Sequence, residues 1–256
     1  MALLASCDII DVHPYDGKID SDLNTDINAA NISRIESTMA GRTQIRFAVI
    51  SDTQRWYDET EDMVDNINAR GDIDFVIHCG DLTDFGATKE FELQQRILDR
   101  LRMPYVVLLG NHDCIGSGKA VFRTMFGLEN FSFVAGHTRF ICLDTNALEY
   151  DFKSSVPDIQ YLASFIGDTQ SANTVTVMHS GPFSEQFNNN VAKYFEEEIM
   201  RLNSPLCCIH GHGHSTEQHE PFNDGMIYYQ VTCAKYRQYY VFNINENGYS
   251  YETIDY

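Results

Sequence analysis

Five short stretches of this chain carry side chains suited to metal and phosphate chemistry. They are Ser51-Asp52-Thr53-Gln54, Gly80-Asp81-Leu82-Thr83-Asp84, Gly110-Asn111-His112-Asp113, the single His179, and His210-Gly211-His212-Gly213-His214. Their donors are carboxylate oxygens, amide oxygens and imidazole nitrogens. Such a set suits Mn, Fe, Zn, Ni or Mg and offers no thiolate-type site. The glycines ahead of Asp81 and Asn111 let the backbone turn tightly and approach bound ions closely. Seven cysteines are present without any CxxC spacing, which supports neither a zinc ribbon nor a dithiol motif. Cys79, Cys142, Cys207, Cys208 and Cys233 sit in apolar runs and read as small buried hydrophobes. An odd cysteine count in a chain this long is no disulfide framework.

Each of these stretches directly follows an apolar run. The runs cover residues 45–50, 75–79, 105–109, 140–143, 174–178 and 206–209, and are rich in Val, Ile and Phe. Short runs of that composition predict buried strands. In an α/β sheet, sites assemble at the carboxyl ends of the strands, so five strand ends would deliver these donors to one rim. The periodicity predicts helices over 26–39, 90–101 (Leu93, Ile97 and Leu101 on one face), 159–166 and 191–202. In the last of these, Glu196-Glu197-Glu198 reads as a solvated face. After Gly225, residues 226–233, 238–244 and 249–254 read as antiparallel strands. The class is α/β with a β-rich C-terminal end.

The 256 residues carry 37 Asp+Glu against 18 Lys+Arg, a formal net charge of −19. With 43% hydrophobic residues the chain can bury a large core, and one domain of roughly 200–250 residues is the simplest organisation. That composition excludes wholesale disorder and collagen-like repeats. The apolar runs fall short of the roughly 20 residues needed to span a bilayer. The acidity, without any run of five basic residues, argues against long nucleic acid as a partner.

The ordered set D-x-[H], G-D-x-x-D, G-N-H-[D/E], H and G-H-x-H, from Ile45 to about His214, resembles the calcineurin-like metallophosphoesterase superfamily. The resemblance implies an α/β/β/α sandwich, two mixed sheets flanked by helices, with the later strands in the second sheet. It implies a binuclear centre of two divalent metal ions. Asp52, Gln54 and His214 would hold one ion, Asn111, His179 and His212 the other, and Asp81 would bridge, because two dications about 3.5–4 Å apart need a shared anion. By the same resemblance a metal-bridging hydroxide attacks phosphorus. His112 serves as the acid, Asp84 orients it, and Asp113 supports it. Two departures matter. Gln54 stands where the family usually has His, so it either ligates weakly through its amide oxygen or only hydrogen-bonds in the rim. Phe85 stands where serine/threonine phosphatases of the superfamily place a phosphate-gripping Arg, and Asp113 where they carry Glu. The pattern is closer to the small-molecule phosphodiesterase branch.

The function expected is hydrolysis of a small phosphodiester or phosphomonoester. The alternatives are a non-catalytic metal- or phosphate-binding member of the same fold, and a nuclease of the superfamily. Arg237 is a candidate phosphate clamp, and Asn146, after a strand, a candidate rim contact. His78 and His210 read as satisfied core histidines, His219 as a surface-loop or pocket residue, and Cys114 as a structural thiol. Tyr228, Tyr229, Tyr236, Tyr239 and Tyr240 read mostly as core and sheet face. Along the chain, 1–7 reads as a remnant of a lipoprotein signal, 8–43 as an Asp-rich extension with a short helix, and 44–256 as the catalytic domain. Leu4-Ala5-Ser6-Cys7 resembles a bacterial lipobox without a positive n-region, and an ordinary apolar N-terminus is the other reading. Lipid on Cys7 would tether the protein to the cell envelope; otherwise it would be cytoplasmic. Metal identity, substrate and oligomeric state are not encoded in these motifs.

Overall fold

A computed structural model describes residues 13–149 and 155–256, so the Cys7 reading lies outside the described residues. The apolar runs form strands, and period-2 alternation in each splits its side chains between two faces. The first sheet has the order β11-β10-β1-β2-β3, with β1 (Ile45–Ile50), β2 (Phe75–His78), β3 (Tyr105–Val107), β10 (Gln238–Asn245) and β11 (Gly248–Asp255). The second has the order β4-β5-β6-β7-β9-β8, with β4 (Phe131–Ala135), β5 (Thr138–Leu143), β6 (Asn173–Met178), β7 (Pro205–His210), β8 (Glu217–His219) and β9 (Tyr228–Gln230). β1, β2 and β3 run parallel, as do β5, β6, β7 and β9; the other pairings are antiparallel.

Between the sheets, Phe47 stacks on Phe75 at 5.1 Å and meets Phe140 edge-on at 5.1 Å, while Phe133 stacks on Phe140 at 4.9 Å. Each fully buried Phe contributes about 1.5–3 kcal/mol of transfer free energy. The outer face of the first sheet is covered by α2 (Tyr57–Arg70), α3 (Thr88–Leu98) and α4 (Gly118–Met125), through Met63, Phe91 and Phe122. The outer face of the second packs on α5 (Ile159–Ala163) and α6 (Ala192–Ile199), through Leu162 and Phe195. These layers make the α/β/β/α sandwich. No helix among the described residues is long and apolar enough to cross a membrane.

Three features differ from the sequence reading. The C-terminal strands split between the sheets: β10 and β11 continue the first sheet through β1, and only β8 and β9 join the second. The Asp-rich stretch packs as part of the domain. Its helix, α1 (Ile27–Met39), sends Ile35 and Met39 into the core between the sheets. Asn28 closes the free edge of β3, donating Nδ2 to Val107 O at 2.8 Å and accepting Val107 N at 2.9 Å, and Asn31 donates to Tyr105 O at 2.8 Å. Ahead of α1, Asp20 and Asp22 pair with Arg96 on α3. Finally, Glu196 and Glu198 on α6 are buried, each only 3% exposed. Tyr228 donates its hydroxyl to Glu196, and Arg201 pairs with Glu198 at 2.7 Å, so of the acidic run only Glu197 faces solvent.

Candidate active site

β1, β2, β3, β6 and β7 end on one rim, and the five stretches meet there. At the β1 end, Asp52 is fully buried and its Oδ1 lies 3.1 Å from His214 Nε2. Asp52, Asp81 and His214 each offer a ligand atom within 4.8 Å of the others. On the other side, Asn111 Oδ1 lies between His179 Nε2 at 3.0 Å and His212 Nδ1 at 3.1 Å. Asp81 Oδ1 is 3.5 Å from His179 Nε2. Asp81 therefore faces both groups of donors.

The remaining nitrogens of two imidazoles are anchored. His179 Nδ1 donates to Cys79 O at 2.8 Å, and His212 Nε2 meets Glu185 Oε1 at 3.0 Å. Anchoring of that kind orients a histidine ligand and fixes its tautomer. Gly110 makes the approach of two loops possible, since a Cβ there would stand 2.1 Å from both Asp81 N and Oδ1.

Charge and backbone both fit bound cations. Burial works against the Asp52 carboxylate, but the His214 hydrogen bond and the His179 charge outweigh it and hold the group down to about 2. Burial likewise disfavours the His179 cation, yet the adjacent Asp81 carboxylate overrides it and lifts the group to about 10. The centre is thus a buried sink for positive charge, the electrostatic condition that dications require. Asp52, Gln54, Asp81, His212 and His214 all have left-handed φ, at 51°, 33°, 60°, 69° and 54°. They are five of the ten non-glycine residues with positive φ among the described residues. Backbone strain of this kind concentrates where surrounding structure holds functional groups in place.

Gln54 turns its Nε2 onto Asp81 Oδ2 at 3.1 Å, so it stands as a hydrogen-bond donor to the shared carboxylate. A half-turn of the amide would present its oxygen instead. His112 lies at the rim with its backbone N–H donating to Asp81 Oδ1 at 2.9 Å. Its Nδ1 donates to the backbone carbonyl of Asp84 at 2.8 Å, which leaves Nε2 free.

The two supporting residues make the following contacts. Asp84 meets His112 through its main chain; its carboxylate is taken by Arg55, with Nη2 at 2.5 Å and Nε at 3.1 Å. Asp113 supports the loop that carries Asp81. It accepts the backbone N–H groups of Asp81, Thr83 and Gly110 at 2.9, 2.9 and 3.0 Å, and the Thr83 hydroxyl at 2.9 Å. Burial and the neighbouring Asp81 charge push its carboxyl upward, against those donors.

The two substrate candidates are engaged elsewhere. Arg237 pairs with Asp62 at 2.8 Å and lies over the Tyr256 ring. Asn146 is 1% exposed and donates to Leu109 O and Asp144 Oδ1, both at 2.9 Å. Cys114 Sγ donates to Gly110 O at 3.4 Å, and burial raises its thiol, so it is structural. His78 is a satisfied core residue between Thr53 Oγ1 and Gly80 N. His210 is buried but not satisfied, because its Nε2 has no partner.

Sequence reasoning missed Arg55 and Glu185. Arg55 is 62% exposed at the side chain, and its guanidinium lies 5.8 Å from the Trp56 ring centroid. The adjacent Trp56 ring meets His214 edge-on. Its place directly after Gln54 was the available signal. Nothing local marks Glu185, which becomes relevant only when the β6 loop folds onto His212.

Residues 45–216 match the family model described as calcineurin-like phosphoesterase. A 3',5'-cyclic-nucleotide phosphodiesterase of Nostoc sp. is 26% identical over 117 residues, 45% of this chain and 44% of that protein. The match thus spans less than half the length of that curated relative. Among solved structures, a dimetal phosphatase from Danio rerio has a TM-score of 0.65 at 15% identity, covering 83% of this chain and 99% of that one. GAP50, the anchor in the inner membrane complex of Plasmodium, has a TM-score of 0.64 at 13% identity, covering 84% and 85%.

Proposed function

The chain belongs to the calcineurin-like phosphoesterase family, whose members are hydrolases of phosphoester bonds that use divalent metals, and on that premise we propose that it is a binuclear phosphodiesterase for small substrates. The observation that carries this reading is the arrangement around Asp81. One carboxylate faces two separate donor groups, Asp52 with His214 and Asn111 with His179 and His212, while His112 Nε2 stands free at the rim. Dications held there would supply Lewis-acid charge and a nucleophile at neutral pH.

The chain's own residues do the rest. His112, protonated on both nitrogens, keeps Nδ1–H on the Asp84 carbonyl and presents Nε2–H to the leaving oxygen. Arg55, the exposed guanidinium beside this edge, grips a non-bridging phosphate oxygen. Asp84 holds Arg55 in reach while its own carbonyl orients His112, so one residue aligns both groups. Phe85 is 60% exposed beside them and leaves the mouth without the second cation that a phosphomonoester dianion would call for. The Nostoc relative makes a cyclic nucleotide one natural test substrate.

The decisive experiment is turnover by the purified full chain supplied separately with Mn, Fe, Zn, Ni and Mg. We expect hydrolysis of bis-p-nitrophenyl phosphate in preference to p-nitrophenyl phosphate, abolished by chelation. No turnover with any of these ions would favour a second reading, a non-catalytic binding protein. The donor orientation of Gln54 is the observation on that side.

A further inference from the structure

A sheet edge presents a row of unpaired N–H and C=O groups, and proteins blunt such edges with covers, short strands, lysine, proline or bulges. Three of the four edges of the two sheets are blunted. Asn28 and Asn31 close β3, the Glu36 carboxylate of α1 accepts Val134 N on β4 at 3.1 Å, and β8 is only three residues long. β11 has none of these devices. It runs Gly248–Asp255 without Lys, Pro or a register shift against β10. Among the described residues, no side chain or loop hydrogen-bonds to its backbone from the open side.

The acids of β11 are turned back into their own sheet. Glu252 pairs with Arg46 and with Arg70, the latter at 2.7 Å, and Asp255 accepts from Gln238 at 2.7 Å. The inner face of the strand carries Tyr249 and Tyr251. Tyr251 is 42% exposed and ends an aromatic cluster, its ring 4.7 Å from Tyr229 and 5.7 Å from Tyr240. Ser250 and Thr253 are exposed on either side of it. The open edge thus offers backbone hydrogen bonds and a tyrosine ring, a residue type enriched in protein interfaces.

We propose that β11 pairs antiparallel with β11 of a second copy about a two-fold axis through Tyr251, joining the two first sheets into one. Directly opposed residues of such a pair share a face, and a one-residue slip would set one copy's inner face against the other's outer face. With the faces matched, two centres keep most of the strand paired, Tyr251 and Glu252. A centre at Glu252 sets that carboxylate opposite its own copy, a destabilising like-charge pair. A centre at Tyr251 pairs residues 248–254 of each copy, with ring against ring, Ser250 opposite Glu252 and Tyr249 opposite Thr253. No like charges are opposed. The same patch serves both copies, as a closed two-fold interface requires. β11 runs parallel to β1, so the two metal rims open in opposite directions and share no residue. The inference is independent of the phosphodiesterase reading.

The test is sedimentation velocity on the full chain at about 1 to 100 µM. An edge contact of this length is at the low end of stable interfaces, so we expect a reversible dimer with Kd on the order of 10 µM. Each copy carries a net charge of −19, a repulsion that salt screens, so added NaCl should tighten the dimer. Ser250→Glu sets two pairs of glutamates face to face across the axis and should weaken it about tenfold. Ser33→Glu adds the same charge at an exposed position on α1, at the other end of the sheet, and should leave Kd close to its starting value.

Tyr251→Cys reads the register directly. It sets two thiols opposite each other at a Cβ separation of about 4.5–5.5 Å, and disulfides bridge directly opposed positions of this kind. Mild oxidation should link the copies through residue 251, identified by mass spectrometry of the joined peptide. Thr253→Cys should not link to its own copy, because the two thiols stand four residues, or about 13 Å, apart along the strands. Thermal melts establish that the variants fold. A chain that stays monomeric up to about 100 µM at low and high salt overturns the proposal. So does a dimer that salt dissolves, that Ser250→Glu and Ser33→Glu weaken alike, or that links equally through 251 and 253.

Discussion

The Asp113 carboxylate accepts the backbone N–H of Asp81 at 2.9 Å. The residue facing both groups of metal donors is therefore positioned by a carboxylate that faces neither. The same group ties down Thr83 and Gly110, clamping the loop after β2 to the loop after β3. Replacing it with Asn turns an N–H donor toward other donors and leaves buried groups unpaired. Asp113→Asn should cost about 1–3 kcal/mol of stability and lower metal affinity about 10–100-fold. Urea denaturation and calorimetric titration with Mn would check both. Unchanged affinity would show that Asp81 is held by other contacts.

Gln54 supplies a second prediction. Its amide nitrogen donates to Asp81 Oδ2, whereas an imidazole at this position would offer a ring nitrogen lone pair. Gln54→His should tighten the more weakly held ion by about tenfold, or about 1.4 kcal/mol. Metal content by elemental analysis, with the dissociation constant of the second ion, is the readout. An unchanged constant would confine residue 54 to hydrogen bonding.

Arg55 shares Asp84 with His112, and its salt bridge to Asp84 is largely exposed on the arginine side. A surface pair of that kind adds little stability, so its value should appear in kinetics. Arg55→Ala should lower kcat/KM for a phosphodiester about tenfold, as expected for loss of one charge-assisted hydrogen bond. Arg55→Lys should recover part of it. An effect confined to thermal stability would make Arg55 an anchor for Asp84 alone.

A stability prediction concerns Glu196, remote from the metal donors. Burial raises its carboxyl from the ordinary 4.5 to about 7, with nearby Asp224 adding to the effect. The folded state holds this proton more tightly than the unfolded one, so folding stability falls as pH rises from about 4.5 to 7. Glu196→Gln keeps an acceptor for the Tyr228 hydroxyl and removes the charge. It should stabilise the fold at pH 8, on the order of 1 kcal/mol, and have no such effect near pH 4. Melting curves at the two pH values would decide it.

The chemistry was legible in the sequence because each group sits at the end of a hydrophobic strand, and strand direction alone brings such ends together. β1 was legible to its final residues. The supporting contacts were not. Asp84 was expected to orient His112, but a three-residue spacing cannot tell whether its carboxylate or its main-chain carbonyl does so; it is the carbonyl. Asp113 was placed behind His112 for adjacency, while its partners come from a loop 30 residues upstream. The hairpin strand β4 and helix α2 were missed, since the mixed polar and apolar residues of 57–70 blur their period. The buried side chains of Glu196 and Glu198 were misread because charge runs usually face water, and only the fold brings Tyr228 against them.

The left-handed backbones of Asp52, Gln54, Asp81, His212 and His214 also bear on how this protein would respond to directed evolution. Each is a position where glycine relieves conformational strain. Stability gained at a strained functional site usually comes at the expense of activity. A library screened only for heat resistance would therefore tend to find its winners among these site positions themselves. Screens for a robust variant of this chain should hold those five codons fixed and look for their gains on α2 and α6.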